Sequence, residues 1–321
     1  MPPFNESIIP NNSTIIVGLS GGPDSIYLLH KLYSFQKKFN IKIIAAHLDH
    51  EWQSSSQIAS DLCQTTCNSL RISLIIKKAS ELEFKHKWNG SKEELGRNMR
   101  RYFFESLADE YAASAIALGH HQQDQQETFF IRLLRGSSLA GLVGIKNHDE
   151  LYIRPLLESF KEDIMEYLTK NKILFYNDPT NTSDDYLRNR IRNHLIPCIK
   201  KIDDRFEKNL TTTMNQLSQT DHFITQSVNQ EFNKILKADG LILKDFLELH
   251  IMLQQRILLK FMITENISFK PSQKLFNEMI RFLKNKKNNK HTIYPSWTIE
   301  KKKDIFKITK EKNSDKNLLI F

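Results

Sequence analysis

Six consecutive residues carry the sharpest chemical signal in the chain: Ser20, Gly21, Gly22, Pro23, Asp24 and Ser25. Adjacent glycines let a backbone turn back so that its N–H groups converge on an anion. Ser20 and Ser25 add hydroxyl donors, and a helix behind the loop adds the partial positive charge of its N-terminus. Asp24 would repel a bare phosphate there. With Mg²⁺ between them it fits, because that ion takes one or two carboxylates together with phosphate oxygens. The spacing suits a metal–nucleotide pair. Neither common phosphate loop is present: no Lys-Ser or Lys-Thr closes a longer glycine loop, and no GxGxxG follows the first strand signal. A plain strand-to-helix turn explains the glycines and serines but gives Asp24 no task.

Two more clusters hold titratable groups. His47-Leu48-Asp49-His50 ends a second apolar run. The segment GHHQQDQQET, from Gly119 to Thr128, follows a later one, and its Asp124 and Glu127 share a face if that segment is helical. The same acids also suit a solvated first helical turn, where they complement the helix dipole. His120, at the strand end, has an ordinary pKa near working pH and is a candidate proton acceptor. Arg97 and Arg100 lie on one face of a predicted helix and can clamp phosphate. Arg188, Arg190 and Arg192 alternate along a basic segment further on. Cys63 and Cys67 are spaced CxxxC without a second pair, so core packing explains them better than zinc does.

These clusters need a frame. Apolar runs at 14–19, 41–48, 72–76 and 115–119 read as strands, and helical periodicity covers 26–33, 54–70, 93–112 and 123–135. Strands alternating with helices predict a parallel sheet with helices on both faces. In such sheets ligands bind outside the carboxyl ends of the strands, where all three clusters fall. After a loop at 136–144, a capping-box pattern at Ser159 and Glu162 starts another helix. Helical patterns at 203–238, 244–265 and 271–284 predict a smaller, mainly helical domain, with strand-like pieces at 292–294 and 305–308. The expected fold class is therefore α/β followed by mostly α, with domains at 1–200 and 201–321.

The chain has 321 residues, with 46 Lys and Arg against 37 Asp and Glu, a net charge of +9. Such a balance favours a polyanionic partner without choosing between nucleic acid, membrane surface and nucleotide. Three cysteines cannot build a disulfide framework, so a reducing compartment is expected. The opening MPPFNESIIP has no basic, apolar leader pattern, and no apolar run approaches the roughly 18 residues that span a bilayer. The expectation is a cytoplasmic protein with no membrane partner.

The blocks SGGPDS, HLDH, HHxxDxxET and Arg135-Gly136-Ser137 with Gly141-Leu142 resemble the tRNA(Ile)-lysidine synthetases. These belong to the PP-loop ATPase superfamily, with an adenine nucleotide alpha hydrolase-like fold. The likeness continues through Arg154-Pro155-Leu156-Leu157, Asn177-Asp178-Pro179-Thr180-Asn181, and Arg188-Asn189-Arg190-Ile191-Arg192 with Leu195-Ile196-Pro197. It departs at Gln123, where the family often has an Asp, and at Tyr102, one place beyond the family's Tyr.

The resemblance implies a reaction in which ATP adenylates the C2 oxygen of the wobble cytidine in the CAU-anticodon isoleucine tRNA. The ε-amine of free L-lysine then attacks C2, giving lysidine and releasing AMP, and decoding changes from AUG to AUA. It implies ATP and Mg²⁺ as cofactors. Ser20, Gly21, Gly22, Pro23, Asp24, Ser25, His47 and Leu48 would meet the nucleotide, and Asp24 and Asp124 the metal. Asp24, His120, Asp124, Arg97, Arg100 and Arg190 would be catalytic. Glu127, beside Asp124, would anchor the lysine ammonium, while Arg188 and Arg192 would meet substrate. Residues 201–321 would bind tRNA. The charge runs at Lys284, Lys286, Lys287 and Lys290 and at Lys301, Lys302 and Lys303 suit a nonspecific phosphate-contacting surface, although such runs are more often only a solvated face. A homodimer is an open expectation. One rival is a tRNA cytidine thiolase, which would need a CxxC or iron–sulfur site. A second is a non-catalytic tRNA-binding protein, which only Gln123 favours.

Overall fold

The computed structural model describes residues 2–52, 56–84, 91–177, 184–267, 269, 271–294 and 297–310. The chain divides into two compact units, Met1–Asn215 and Gln216–Phe321. In the first, strand β1 (Thr14–Gly18) lies between β2 (Lys42–Asp49) and β4 (Ala115–Ala117), parallel to both. With β3 (Ser73–Lys78), β5 (His148–Asp149) and β6 (Tyr152–Ile153) they form a sheet ordered β3-β2-β1-β4-β6-β5. Only β5 runs antiparallel to its neighbour.

The pleat of β1 explains why the sheet is covered twice. Ile15 and Val17 point to one face and pack with Leu28, Leu29 and Leu32 of α1 (Pro23–Phe39). Cys63 and Cys67 of α2 (Ser56–Leu70) and Ile164 and Leu168 of α6 (Lys161–Lys170) complete that core. Ile16 points the other way, onto Phe103, Phe104 and Leu107 of α3 (Lys92–Glu110). Successive side chains on a strand alternate faces, so a continuous apolar strand is one buried on both sides. The predicted two-faced parallel sheet is what forms, and the cysteines pack as expected.

The sheet order also fixes a crevice. From β1 the chain winds to β2 and β3 on one side, whereas β4 and β6 add on the other. The carboxyl ends of β1 and β4 therefore flank the point where winding reverses, the place where open α/β sheets bind ligands. The loop after β1 and α4 (Gln122–Leu134) after β4 both start there. A short α5 (Leu139–Leu142) follows. Later come α7 (Leu187–Arg190), a π-helical turn over Ile191–Leu195, and α8 (Ile196–Ile202).

The capping-box expectation at Ser159 is corrected. The helix starts at Lys161 with Phe160 at its N-cap, and the Ser159 hydroxyl donates instead to the Pro3 carbonyl.

The division between units falls inside α9 (Phe206–Ile235). The second unit continues with β7 (Leu236–Lys237), β8 (Gly240–Ile242), α10 (Leu243–Glu248), α11 (Ile251–Thr264) and α12 (Gln273–Lys284). It ends on β9 (Lys290–Tyr294), β10 (Trp297–Lys302) and β11 (Ile305–Lys310). Five antiparallel strands, ordered β7-β8-β11-β10-β9, join the expected helices around Phe246, Phe261, Met279, Ile299 and Phe306. The single pattern at 244–265 becomes two helices because His250 caps α11, its side chain accepting from the Met252 N–H. Among the described residues no helix is long and apolar enough to cross a membrane.

Candidate active site

Gly21 takes φ +79°, and a Cβ there would lie 3.2 Å from the Ala59 carbonyl oxygen, so the turn tolerates little but glycine. Gly22 caps α1 and Pro23 opens it with a φ already suited to a first helical turn. The two hydroxyls hold the loop closed. Ser25 Oγ accepts from the Ser20 N–H at 3.1 Å, lies 3.1 Å from Ser20 Oγ, and donates to the Gly22 carbonyl at 3.0 Å. Both hydroxyls, expected as donors, here shape the loop. The N–H groups at the start of α1, which have no intrahelical partner, are left to face an anion. From across the crevice the Tyr176 N–H donates to the Gly21 carbonyl at 2.9 Å.

The acids after β4 are brought to this loop. A Cβ on Gly119 would sit 3.0 Å from the backbone C and O of Asp24, so the end of β4 lies directly against the start of α1. His121 Nε2 then stands 3.6 Å from Asp24 Oδ2 and 3.5 Å from Asp124 Oδ2. Two carboxylates, from the first turns of two helices, converge on one point. Asp124 is further fixed by the His121 N–H at 2.9 Å. Burial opposes its ionisation, but the His121 ring, Arg188 and His120 outweigh this and hold its carboxyl far below the usual range. Asp24 is paired with a residue the sequence reading missed: Lys161 Nζ forks onto its two oxygens at 2.6 and 2.7 Å.

Glu127, the expected lysine anchor, is held by two arginines. It is fully buried; Arg188 Nε donates to one oxygen at 2.5 Å, and Arg192 donates to both, at 2.6 and 3.1 Å. Arg188 also reaches Asp124 at 2.6 Å. An incoming ammonium would have to displace a guanidinium. Arg190 is placed differently. Residues 187–195 are helical, so Arg188 and Arg192 share the inward face while Arg190 points outward. Arg190 is exposed and donates to the Asp184 carbonyl at 3.2 Å.

Asp24, His121, Asp124, Glu127, Arg188 and Arg192 line one cleft of about 1300 Å³ within the first unit, which also admits Arg97, Arg100, Leu48 and Lys161. Desolvation, then the repulsion of Arg97 and Arg188, lowers the Arg100 guanidinium below its ordinary value. An arriving anion relieves the repulsion at Arg100. The NDPTN block lies, apart from Asn177, outside the described residues.

Residues 3–199 match the PP-loop domain family. The chain belongs to it. Among curated proteins this PP-loop chain is similar to the tRNA(Ile)-lysidine synthase of Clostridium perfringens, 36% identical over 236 residues. The match covers 72% of this chain and 50% of that relative. A tRNA(Ile)-lysidine synthase of Bacillus cereus is 29% identical over 87% of the chain and 61% of its own length. The PP-loop chain thus spans about half the length of the first of these relatives. Among solved structures it resembles the U34-tRNA thiolase NcsA of Methanococcus maripaludis, with a TM-score of 0.56 and 18% identity. That likeness covers 67% of this chain and 75% of that one, and it is a likeness of fold.

The histidines of the PP-loop protein differ from expectation. His47 lines the cleft but has no nitrogen to spare. Its Nδ1 lies 2.8 Å from the Leu19 carbonyl, which can only accept, so Nε2 accepts from the Ser60 hydroxyl at 3.0 Å. Through these bonds it ties the end of β1 to α2. Burial pushes His120 down to about 4, so its ring is neutral at pH 7, not half-titrated, and its buried Nδ1 has no partner. His50 is likewise pushed down to about 4, chiefly by burial. The unfolded chain binds these protons near pH 6.5 and the folded chain only near 4, so folding stability falls as pH drops through that window. Urea midpoints measured from pH 7 to 5 are expected to decline steadily; a flat profile would contradict the buried neutral rings.

Burial raises the Cys63 and Cys67 thiols to about 12 and 11, and no cysteine lines the cleft. Iodoacetamide at pH 8 is therefore expected to label the native chain once, at exposed Cys198. Two or three adducts by mass spectrometry would contradict it. Gln123, in place of the family's Asp, donates to Glu162 at 2.9 Å and joins α4 to α6.

Proposed function

We propose that this PP-loop protein uses ATP to activate the wobble cytidine of CAU-anticodon isoleucine tRNA and joins it to free L-lysine, forming lysidine. The observation that carries the reading is that the SGGPDS loop and the acids after β4 open onto one arginine-walled cleft. The names of the curated relatives, tRNA(Ile)-lysidine synthases, support tRNA(Ile) as a substrate. The cytidine C2 oxygen attacks the α-phosphorus and pyrophosphate leaves; the lysine ε-amine then attacks C2 and AMP leaves with that oxygen.

The chain's groups have suitable tasks. The loop N–H groups hold the pyrophosphate half of ATP, and Arg97 and Arg100 face charge developing at the α-phosphate. Among the described residues no three His, Cys, Asp or Glu side chains form a metal cluster alone. Mg²⁺, which also takes phosphate oxygens, suits the convergence of Asp24 and Asp124 and would neutralise phosphate charge. A cytidine splayed from the anticodon stack can reach such a cleft. Once the new C–N bond forms, the nitrogen is acidic enough for a weak base, and neutral His120 with its open Nδ1 suits that transfer. The Nη1 groups of Arg188 and Arg192, which neither Glu127 nor Asp124 takes, suit the lysine carboxylate. The thiolase reading finds no cysteine in the cleft to build on.

In the second unit Lys284, Lys286, Lys287, Lys290, Lys302 and Lys303 are exposed and suit tRNA phosphates. Lys301 is corrected. Its Nζ donates to the Phe282 and Asn285 carbonyls and closes the end of α12. Raising salt from about 50 to about 200 mM should lower tRNA affinity by a factor on the order of 10³ if six or more phosphates are neutralised. Affinity indifferent to salt would remove this surface from docking. The function itself is tested by incubating the chain with ATP, lysine and the tRNA, then weighing the nucleosides. A cytidine heavier by one lysine less one water supports the reading; unmodified cytidine, or a thiolated one, overturns it.

A further inference from the structure

Lys161 occupies a costly position. It is the first residue of α6, where the positive end of the helix dipole disfavours a cation. Nothing in the packing requires it there, since the side chain is 30% exposed and lines the cleft. Its backbone is nonetheless held firmly. The preceding Ser159 carbonyl accepts from the Gln122 N–H at 3.0 Å, and the following Glu162 accepts from Gln123 at 2.9 Å. Both bonds come from the first turn of α4, which also carries Asp124. The ammonium is thus delivered to the mouth of the phosphate loop by the element that presents the acids. There it grips both oxygens of Asp24, the one negative group within the loop.

We propose that Lys161 is the binding residue for the two terminal phosphates of ATP, resting on Asp24 until the nucleotide arrives. This deepens the proposed function and rests on it only in taking ATP as the nucleotide. An unpaired Asp24 would repel a triphosphate entering the loop. Paired with Lys161, the loop is electrically neutral at its only acid, and the entering polyphosphate exchanges one anionic partner of the ammonium for another. The handover leaves Asp24 free to face a cation. A flexible stem with three donors suits this movement better than a planar guanidinium would.

The contacts predict selectivity by phosphate number. Charge-assisted hydrogen bonds to the terminal phosphates are lost with the ammonium, whereas AMP has no such phosphates. Equilibrium binding of ATP, AMP and inorganic pyrophosphate should be measured on the full chain and on Lys161→Met and Lys161→Arg. Lys161→Met is expected to weaken ATP and pyrophosphate at least tenfold and AMP less than threefold, with Lys161→Arg recovering most of the loss. Equal weakening of all three ligands, or none, overturns the proposal. If the ion pair is only a brace between α1 and α6, Lys161→Met lowers the thermal midpoint and leaves the ATP-to-AMP affinity ratio at the native value. None of these readings depends on lysine or tRNA. A chain that makes no lysidine but shows the ratio change would refute the function and leave the role of Lys161 standing.

Discussion

An Asp24→Asn protein is expected to form AMP about a thousandfold more slowly than the native chain, the scale of losing a preorganised electrostatic group. Its tRNA affinity should stay within twofold. The amide keeps the shape of the carboxylate, but one accepting oxygen becomes an N–H donor and the group cannot neutralise a cation. The loop is held by Ser20, Ser25 and Gly22, not by Asp24, so it keeps its form. Lys161, released from its partner, still faces incoming phosphates. The defect should therefore appear in kcat and hardly in the KM for ATP, the signature of an interaction made chiefly in the transition state. Quench-flow measurement of AMP, with filter binding of tRNA, checks both halves. Native-like AMP formation in the variant would remove Asp24 from the chemistry.

The second large effect is on folding. Arg188→Met leaves fully buried Glu127 with one guanidinium and strips Asp124 of its arginine. Breaking a buried pair by removing one partner typically costs about 3–5 kcal/mol, because a charge stays behind without compensation. For a unit of this size that lowers the thermal midpoint by about 10 °C. Adding Glu127→Gln removes one of the stranded charges, so the double variant should regain part of the loss. Asp124 gives a pH signature as well. Its folded pKa is depressed, so its contribution is present above about pH 4 and disappears as pH falls below that value. Calorimetry on the two variants checks the claim; a midpoint unchanged in Arg188→Met would show that Glu127 is not held as described.

The parts of this molecule legible in the sequence are those whose physics is local. β1 announced itself by an apolar run ending in paired glycines, and the crevice followed from strands and helices that alternate. What stayed hidden depends on long-range contact. Arg188 and Glu127 are 61 positions apart, and no spacing rule reports that the arginine will neutralise the acid. The alternation Arg188, Arg190, Arg192 does not reveal its inward face, and a helix turns Arg190 away. Lys161 passed as an ordinary residue of a capped helix because its partner Asp24 lies 137 positions back. Strands β5, β6 and β7 have two residues each and β8 has three, too few to show a period, whereas the longer β9 and β11 showed as strand-like pieces. The histidines were identifiable by type, but their protonation was not, because burial sets it.

The most direct measurement follows one atom. tRNA carrying a heavy oxygen isotope at C2 of the wobble cytidine is incubated with the chain, ATP and lysine, and the released AMP is weighed. If the cleft joins that oxygen to the α-phosphorus, every AMP released during modification carries the label. Label that stays in the nucleoside or escapes to water, with AMP unlabelled, would mean that the nucleotide in this crevice never touches the base.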